Sequence, residues 1–172
     1  MVMIRPVAAS DETAWREMWA GYCAFYKTEL PDEVTDATWA RFFDPAVQVR
    51  CLIAKDGGTA VGFVTYVLHL YTWGSNPLCY LEDLFVREEA RGHHVGHALI
   101  DKLIKMARAE GWDRVYWHTQ RGNAPARKLY DRFVPADDFV RYKIDTTGRD
   151  GGKNVLPFPA NRGVKPPHDR DR

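Results

Sequence analysis

The chain has 172 residues, enough for one domain with a buried core and short for two. Hydrophobic residues at 45% and charged residues at 27% exclude a wholly disordered chain, a collagen-like repeat and a small disulfide scaffold. Lys plus Arg number 24 against 23 Asp plus Glu, and a net charge of +1 argues against a nucleic-acid partner held by phosphate contacts. Cys23, Cys51 and Cys79 are an odd set without metal-ligand spacing, read as reduced thiols in a cytoplasmic protein. The first residues lack a secretory pattern, and no run approaches about 18 apolar residues, so no membrane span is expected.

In chain order, Ile4 to Val7 predicts a short strand. Ser10 and Asp11 are N-cap types ahead of Ala14, Trp15, Met18, Trp19, Tyr22, Phe25 and Tyr26, which recur at three and four residues and mark one helix face. A second helix is expected over Asp36 to Phe43, ended by Asp44-Pro45. Two β runs, Val47 to Ala54 and Ala60 to His69, flank a Gly57-Gly58 connection and predict a hairpin. A third, Leu78 to Val86, follows a loop over 70–77 and carries Glu82-Asp83 in its middle. The period then changes. Val95, Leu99, Ile100, Leu103, Ile104 and Ala107 form a helix stripe, and Gly111 sits where a cap glycine would. Val115 to Thr119 predicts a strand, Asn123 caps a helix over Ala124 to Arg132, and Phe139 to Ile144 predicts a last strand. This order describes an α/β domain over 1–148, with a mixed sheet and helices on both faces. Residues 149–172 carry four prolines, three glycines and a net charge of +3 without aliphatic pattern, and read as an extension outside the domain.

The stretch from Leu81 to Leu99 is the most informative. A strand leads into Arg91-Gly92-His93-His94-Val95-Gly96-His97 and then into an amphipathic helix. The first turn of a helix has unpaired amides and favours negative charge. With Arg91 as a cation and two glycines allowing close approach, the turn suits a diphosphate. It is neither a P-loop nor a dinucleotide fingerprint, and an ordinary βα turn with one packing glycine is the alternative. His93 and His97 stand four apart, but no carboxylate completes an H-E-x-x-H pattern, and no metal is expected.

These residues resemble the acetyl-CoA-binding motif of the GCN5-related N-acetyltransferase (GNAT) family, Arg/Gln-x-x-Gly-x-Gly/Ala. Arg91, Val95 and Gly96 match, while His94 holds the position of the first motif glycine. Cys79 to Val86 is similar to the fourth strand of diamine and polyamine acetyltransferases. Asn123-Ala124-Pro125-Ala126-Arg127-Lys128-Leu129-Tyr130 resembles the family's Asn-x-x-Ala-x-x-x-Tyr segment.

The resemblance implies a mostly antiparallel central sheet, acetyl-CoA as cosubstrate, a primary amine as acceptor and a homodimer. By the same resemblance Leu84, Phe85 and Val86 line the thioester and pantetheine arm. Arg91, Gly92, His93, His94, Val95, Gly96 and His97 hold the diphosphate, and Asn123 contacts CoA. Tyr130 is the general acid for the departing thiolate. Glu82 and Asp83 help bind a cationic amine, with Glu82 also a proton acceptor through water. Adjacent strand residues point to opposite faces, so the two carboxylates are not read as a dyad. An irregularity near Phe85 and Val86 is expected to aim backbone amides at the thioester carbonyl. The first helix is mostly core, with Tyr22, Tyr26 and Glu29 as acceptor-site candidates at one end and His69 to Trp73 as an opposite wall. The acceptor is read as a polyamine, diamine or amino acid attacking directly. A protein lysine, a CoA-binding regulatory protein without catalysis and a nucleic-acid accessory role of the basic tail are the alternatives.

Overall fold

The computed structural model describes residues 2–144 and 146. The chain divides into two compact units, Met1–Pro135 and Ala136–Arg172. Among the described residues, every helix and strand belongs to the first: β1 (Met3–Pro6), α1 (Glu12–Phe25), α2 (Asp32–Arg41), β2 (Val49–Asp56), β3 (Thr59–His69), β4 (Leu78–Val86), α3 (Val95–Glu110), β5 (Arg114–Tyr116) and α4 (Ala124–Tyr130). Short 3-10 turns at Ala9–Asp11 and Glu88–Ala90 precede α1 and α3.

The sheet runs in the order β1-β2-β3-β4-β5. All neighbours are antiparallel except β4 and β5, which are parallel. The β2–β3 hairpin turns on Gly57 and Gly58, whose φ values of 55° and 87° lie where side chains are disfavoured. Alternation sorts the strand side chains into two layers. Leu52, Ala54, Val64, Tyr66, Cys79 and Leu81 pack with Leu99, Ile100 and Leu103 of α3. Cys51, Ile53 and Phe63 pack on the other side with Trp15 and Met18 of α1 and Trp39 of α2. Trp15 is fully buried, its ring 5.5 Å from Trp19, 5.2 Å from Trp39 and 5.3 Å from Phe42. The aromatic helix is therefore core over most of its length.

One irregularity in β4 changes the face of every residue after it. Thr65 pairs with Asp83 but Tyr66 pairs with Leu81, so Glu82 is an extra residue that the register skips. Leu81 and Leu84, three apart, both pack in the α3 layer, whereas unbroken alternation would separate them. Phe85 packs in the α1 layer, and Asp83 turns to the same side. The bulge thus lies at Glu82, upstream of the Phe85–Val86 position expected from sequence. The opposite-face reading of Glu82 and Asp83 also fails, because it assumed a regular pleat.

Other boundaries move for local reasons. Helix α2 starts at Asp32 rather than Asp36, behind Pro31 at its N-cap and with Asp32 and Glu33 in its first turn. It ends at Arg41, two residues earlier than predicted. Asp11 does not cap α1 with its side chain. Its buried carboxylate takes Arg5 Nη1 at 2.6 Å, Lys55 Nζ at 3.0 Å and the Ala8 amide at 2.9 Å. Strand β5 stops at Tyr116, and α4 stops at Tyr130. Residues 139–144 form no strand. Phe139, Val140, Tyr142 and Ile144 are all exposed, and no described strand pairs with them. The expected boundary at 148/149 and the tail beyond it lie outside the described residues.

Candidate functional site

Strands β4 and β5 pair only from Leu78 with Arg114 to Tyr80 with Tyr116. Past that point they part, and a cavity of about 560 Å³ is lined from β4, α3 and α4. Leu84, Phe85 and Val86 supply one wall. Asn123, Leu129 and Tyr130 supply another, and Phe25 and Tyr26 reach in from the end of α1. Arg91, Gly92, His94, Val95, Gly96 and His97 form the third side.

The N-terminus of α3 is the most polar part of that third side. Its first four amides have no acceptor within the helix, apart from the cap bond from Ala98 N to His94 O at 2.9 Å. His94, the N-cap residue, makes no side-chain cap bond. Its φ of 62° and ψ of 11° are left-handed, the conformation that glycine adopts freely. The imidazole at the motif glycine position thus stands on a glycine-like backbone. Gly96 has a separate reason to be glycine: a Cβ there would lie 3.1 Å from Leu129 Cδ2, so the side chain's absence lets α4 approach α3. Arg91, Lys128 and Arg132 bring three exposed cations to the cavity.

Asn123 begins α4, its Oδ1 accepting the Ala126 amide at 3.4 Å, with Pro125 in the first turn. This helix carries Tyr130 into the cavity against Trp117, the ring centroids 5.4 Å apart. Burial pushes the Tyr130 phenol up to about 12, with nearby Tyr26 adding to the shift. Such a phenol holds its proton more firmly than a thiol, whose ordinary pKa is about 8.5.

Not every expected residue lines this space. His93 turns its Nδ1 back to the Arg91 carbonyl at 3.2 Å, and Glu29 lies exposed beyond the end of α1. Tyr22 packs between Trp19 and Tyr26 and stands beside Asp83. Asp83 is 9% exposed, and burial pushes its carboxyl up to about 6, with the Tyr22 hydroxyl opposing the shift and Glu82 adding to it. Glu82 is exposed. Leu81 before it packs in the α3 layer, so Glu82 takes the α1 side of the sheet, and its charge reaches Tyr22, Asp83 and Tyr116. Sequence reading missed Phe25, Ala90, Pro125, Ala126, Lys128, Leu129 and Arg132 in the lining. Lys128 and Arg132 stand two residues either side of Tyr130, and Arg132 lies past the end of α4, so helical spacing from Tyr130 did not point to them. Phe25 was not legible either, because it arrives from a distant helix. Outside that lining, Tyr80, Tyr116 and His118 cluster beside His69.

The Acetyltransferase (GNAT) family matches residues 13–133. The D-amino-acid N-acetyltransferase HPA3 of Saccharomyces cerevisiae is 38% identical over 144 residues, covering 83% of this chain and 89% of that one. The thialysine N-epsilon-acetyltransferase of Bos taurus is 28% identical over 113 residues, covering 59% and 66%. Among solved structures, AAC(6')-Iy in complex with a bisubstrate analogue, CoA-S-monomethyl-acetylneamine, superposes with a TM-score of 0.71 at 21% identity, covering 84% of this chain and 99% of that one.

Proposed function

Since the chain belongs to the acetyltransferase (GNAT) family and is an acetyl-CoA-dependent N-acetyltransferase, we propose that it acetylates the primary amine of a small cationic acceptor by direct attack. The observation that carries this reading is one continuous cavity, reaching from the open amides of α3 to the Tyr130 phenol. Two relatives named for D-amino acids and for thialysine favour an amino acid among the acceptors considered.

The residues present fit acetyl-CoA. Amides at the start of α3, with Arg91, Lys128 and Arg132 around them, complement phosphate charge. The apolar wall of Leu84, Phe85 and Val86 suits a pantetheine arm, and Asn123 fixes the start of the opposite wall. When bound, acetyl-CoA supplies an activated acetyl group as a thioester. Tyr130 keeps its proton at neutral pH and is the donor to the thiolate, help that is typically worth about 10²–10⁴-fold. Glu82, held out by the bulge, attracts the acceptor's ammonium. Asp83 and Tyr22 face each other where α1 lies against β4, outside the cavity lining. Tyr26 then roofs the space beside Tyr130.

The test is release of free thiol from acetyl-CoA across D- and L-amino acids, thialysine, polyamines, aminoglycosides and lysine peptides. Amine-dependent release with one or more small amines is expected. Release with lysine peptides alone overturns the small-acceptor reading, and release with no amine overturns the assignment of an amine acceptor.

A further inference from the structure

An alkylammonium has no lone pair, so an acceptor of this kind must lose a proton before it attacks. We propose that Tyr116 and His69 form the relay that takes that proton, at the point where β4 and β5 part; this rests on the amine-acceptor reading. The hydrogen bonds set its direction. His69 Nδ1 lies 3.0 Å from the Leu70 carbonyl oxygen, which only accepts, so Nδ1 carries the ring's hydrogen. In the neutral ring Nε2 is then a lone pair. It lies 2.9 Å from the Tyr116 hydroxyl, which must donate to it. The Tyr116 oxygen keeps its own lone pairs free to accept from a third group.

That third position is the acceptor side of the fork. Tyr116 is the last paired residue of β5, opposite Tyr80, and Tyr80 stands two residues before Glu82 on β4. Val115 and Trp117 pack in the α3 layer, so Tyr116 between them takes the other face, the one Asp83 takes. Around the phenol stand His69 and the rings of Tyr80 at 5.1 Å and His118 at 5.9 Å, with the charges of Glu82 and Arg114 reaching it, while Cys79 lies on the other face of the sheet. Glu82 is the carboxylate that draws the cation to this corner. As the ammonium N–H bond breaks, its proton bonds to the Tyr116 oxygen, and the Tyr116 O–H proton passes to His69 Nε2. The acceptor is left a neutral amine, Tyr116 is restored, and the half-buried His69 holds the charge until water takes the proton. His69 acts through Tyr116 and is a positioning and proton-holding residue.

The experiment compares the full-length wild type with Tyr116→Phe, His69→Gln and the double variant. Two acceptors are used: an alkylammonium amino acid that the wild type acetylates, and a hydrazide of similar size that is already neutral at assay pH. Each single variant is expected to lose about 10²-fold in kcat/KM on the alkylammonium and under about 3-fold on the hydrazide, with the double variant no worse than either. The acid limb of the alkylammonium pH profile is expected to move up towards the amine's own ionisation. A readout free of turnover accompanies this: ¹⁵N NMR of the imidazoles, with His69 expected in the Nδ1–H form. Equal losses on both acceptors, no loss, or an Nε2–H ring overturns the relay while the amine-acceptor reading stands. A wild type that releases no thiol with any amine removes both.

Discussion

Replacing His94 with glycine separates the backbone of the α3 turn from its side chain. A left-handed conformation costs an L-residue about 1–2 kcal/mol, and His94 sits there with φ of 62°. Glycine removes that strain but loses about 0.5–1 kcal/mol more chain entropy on folding. The net expectation for His94→Gly is a gain of about 0.5–1 kcal/mol. For a chain of this length that corresponds to a rise of about 1–4 °C in Tm. His94→Ala is the control: it deletes the imidazole, which makes no cap bond, and keeps the strain. Thermal unfolding without ligand should therefore order the three proteins with glycine highest and alanine no higher than wild type. Acetyl-CoA affinity, measured by calorimetry at pH 6 and pH 8, should also change in His94→Gly, because the ring lines the cavity. A glycine variant that melts at or below the alanine variant refutes the strain argument. An unaltered dissociation constant at both pH values refutes a role for the ring.

Three further outcomes are expected. Tyr130→Phe should lower kcat by about 10²-fold or more while acetyl-CoA still binds; undiminished thiol release removes Tyr130 from the general-acid role. Asp83, with a folded pKa of about 6 against about 3.9 unfolded, binds its proton more tightly in the native state, so its contribution to stability falls as pH rises between those values, by about 3 kcal/mol in all. Asp83→Asn removes that slope, and urea midpoints at pH 4 and pH 7 should show the variant gaining on wild type at the higher pH. Asp11 behaves oppositely: Arg5 first, then the Ala8 amide and Lys55, hold its carboxyl well below the usual range, so its stabilisation is present above about pH 4 and is lost as pH falls. Asp11→Asn at neutral pH should cost about 3 kcal/mol, a fall of about 6–12 °C in Tm.

Features set by neighbours along the chain are legible in the amino-acid sequence. The stripe from Val95 to Ala107 is a helix, and Gly111 closes it with a φ of 72°. Asn123 caps its helix through Ala126. Features set across the sheet are not legible in this way. The bulge at Glu82 exists only as a mismatch between β3 and β4, and no local pattern in Leu81 to Phe85 announces it. Asp11 reads as an N-cap because it precedes a helix, but Lys55, 44 positions away, gives its carboxylate different work. His69 and Tyr116 are 47 positions apart, and each alone is an ordinary strand-end residue. The residues 139–144 have the composition of a strand, but a strand also needs a partner for its amides, which composition does not supply.

The extra residue in β4 gives the strand one position of slack in length. Deleting Glu82 would leave Leu81 and Asp83 as neighbours in a regular pleat opposite Tyr66 and Thr65, with Leu84, Phe85 and Val86 still on the faces they now hold. A single-codon deletion there would thus straighten the strand and remove a carboxylate without inverting the cavity wall. The same deletion in β3 opposite the bulge has no such slack to draw on, and would carry a whole strand's side chains to the wrong layer.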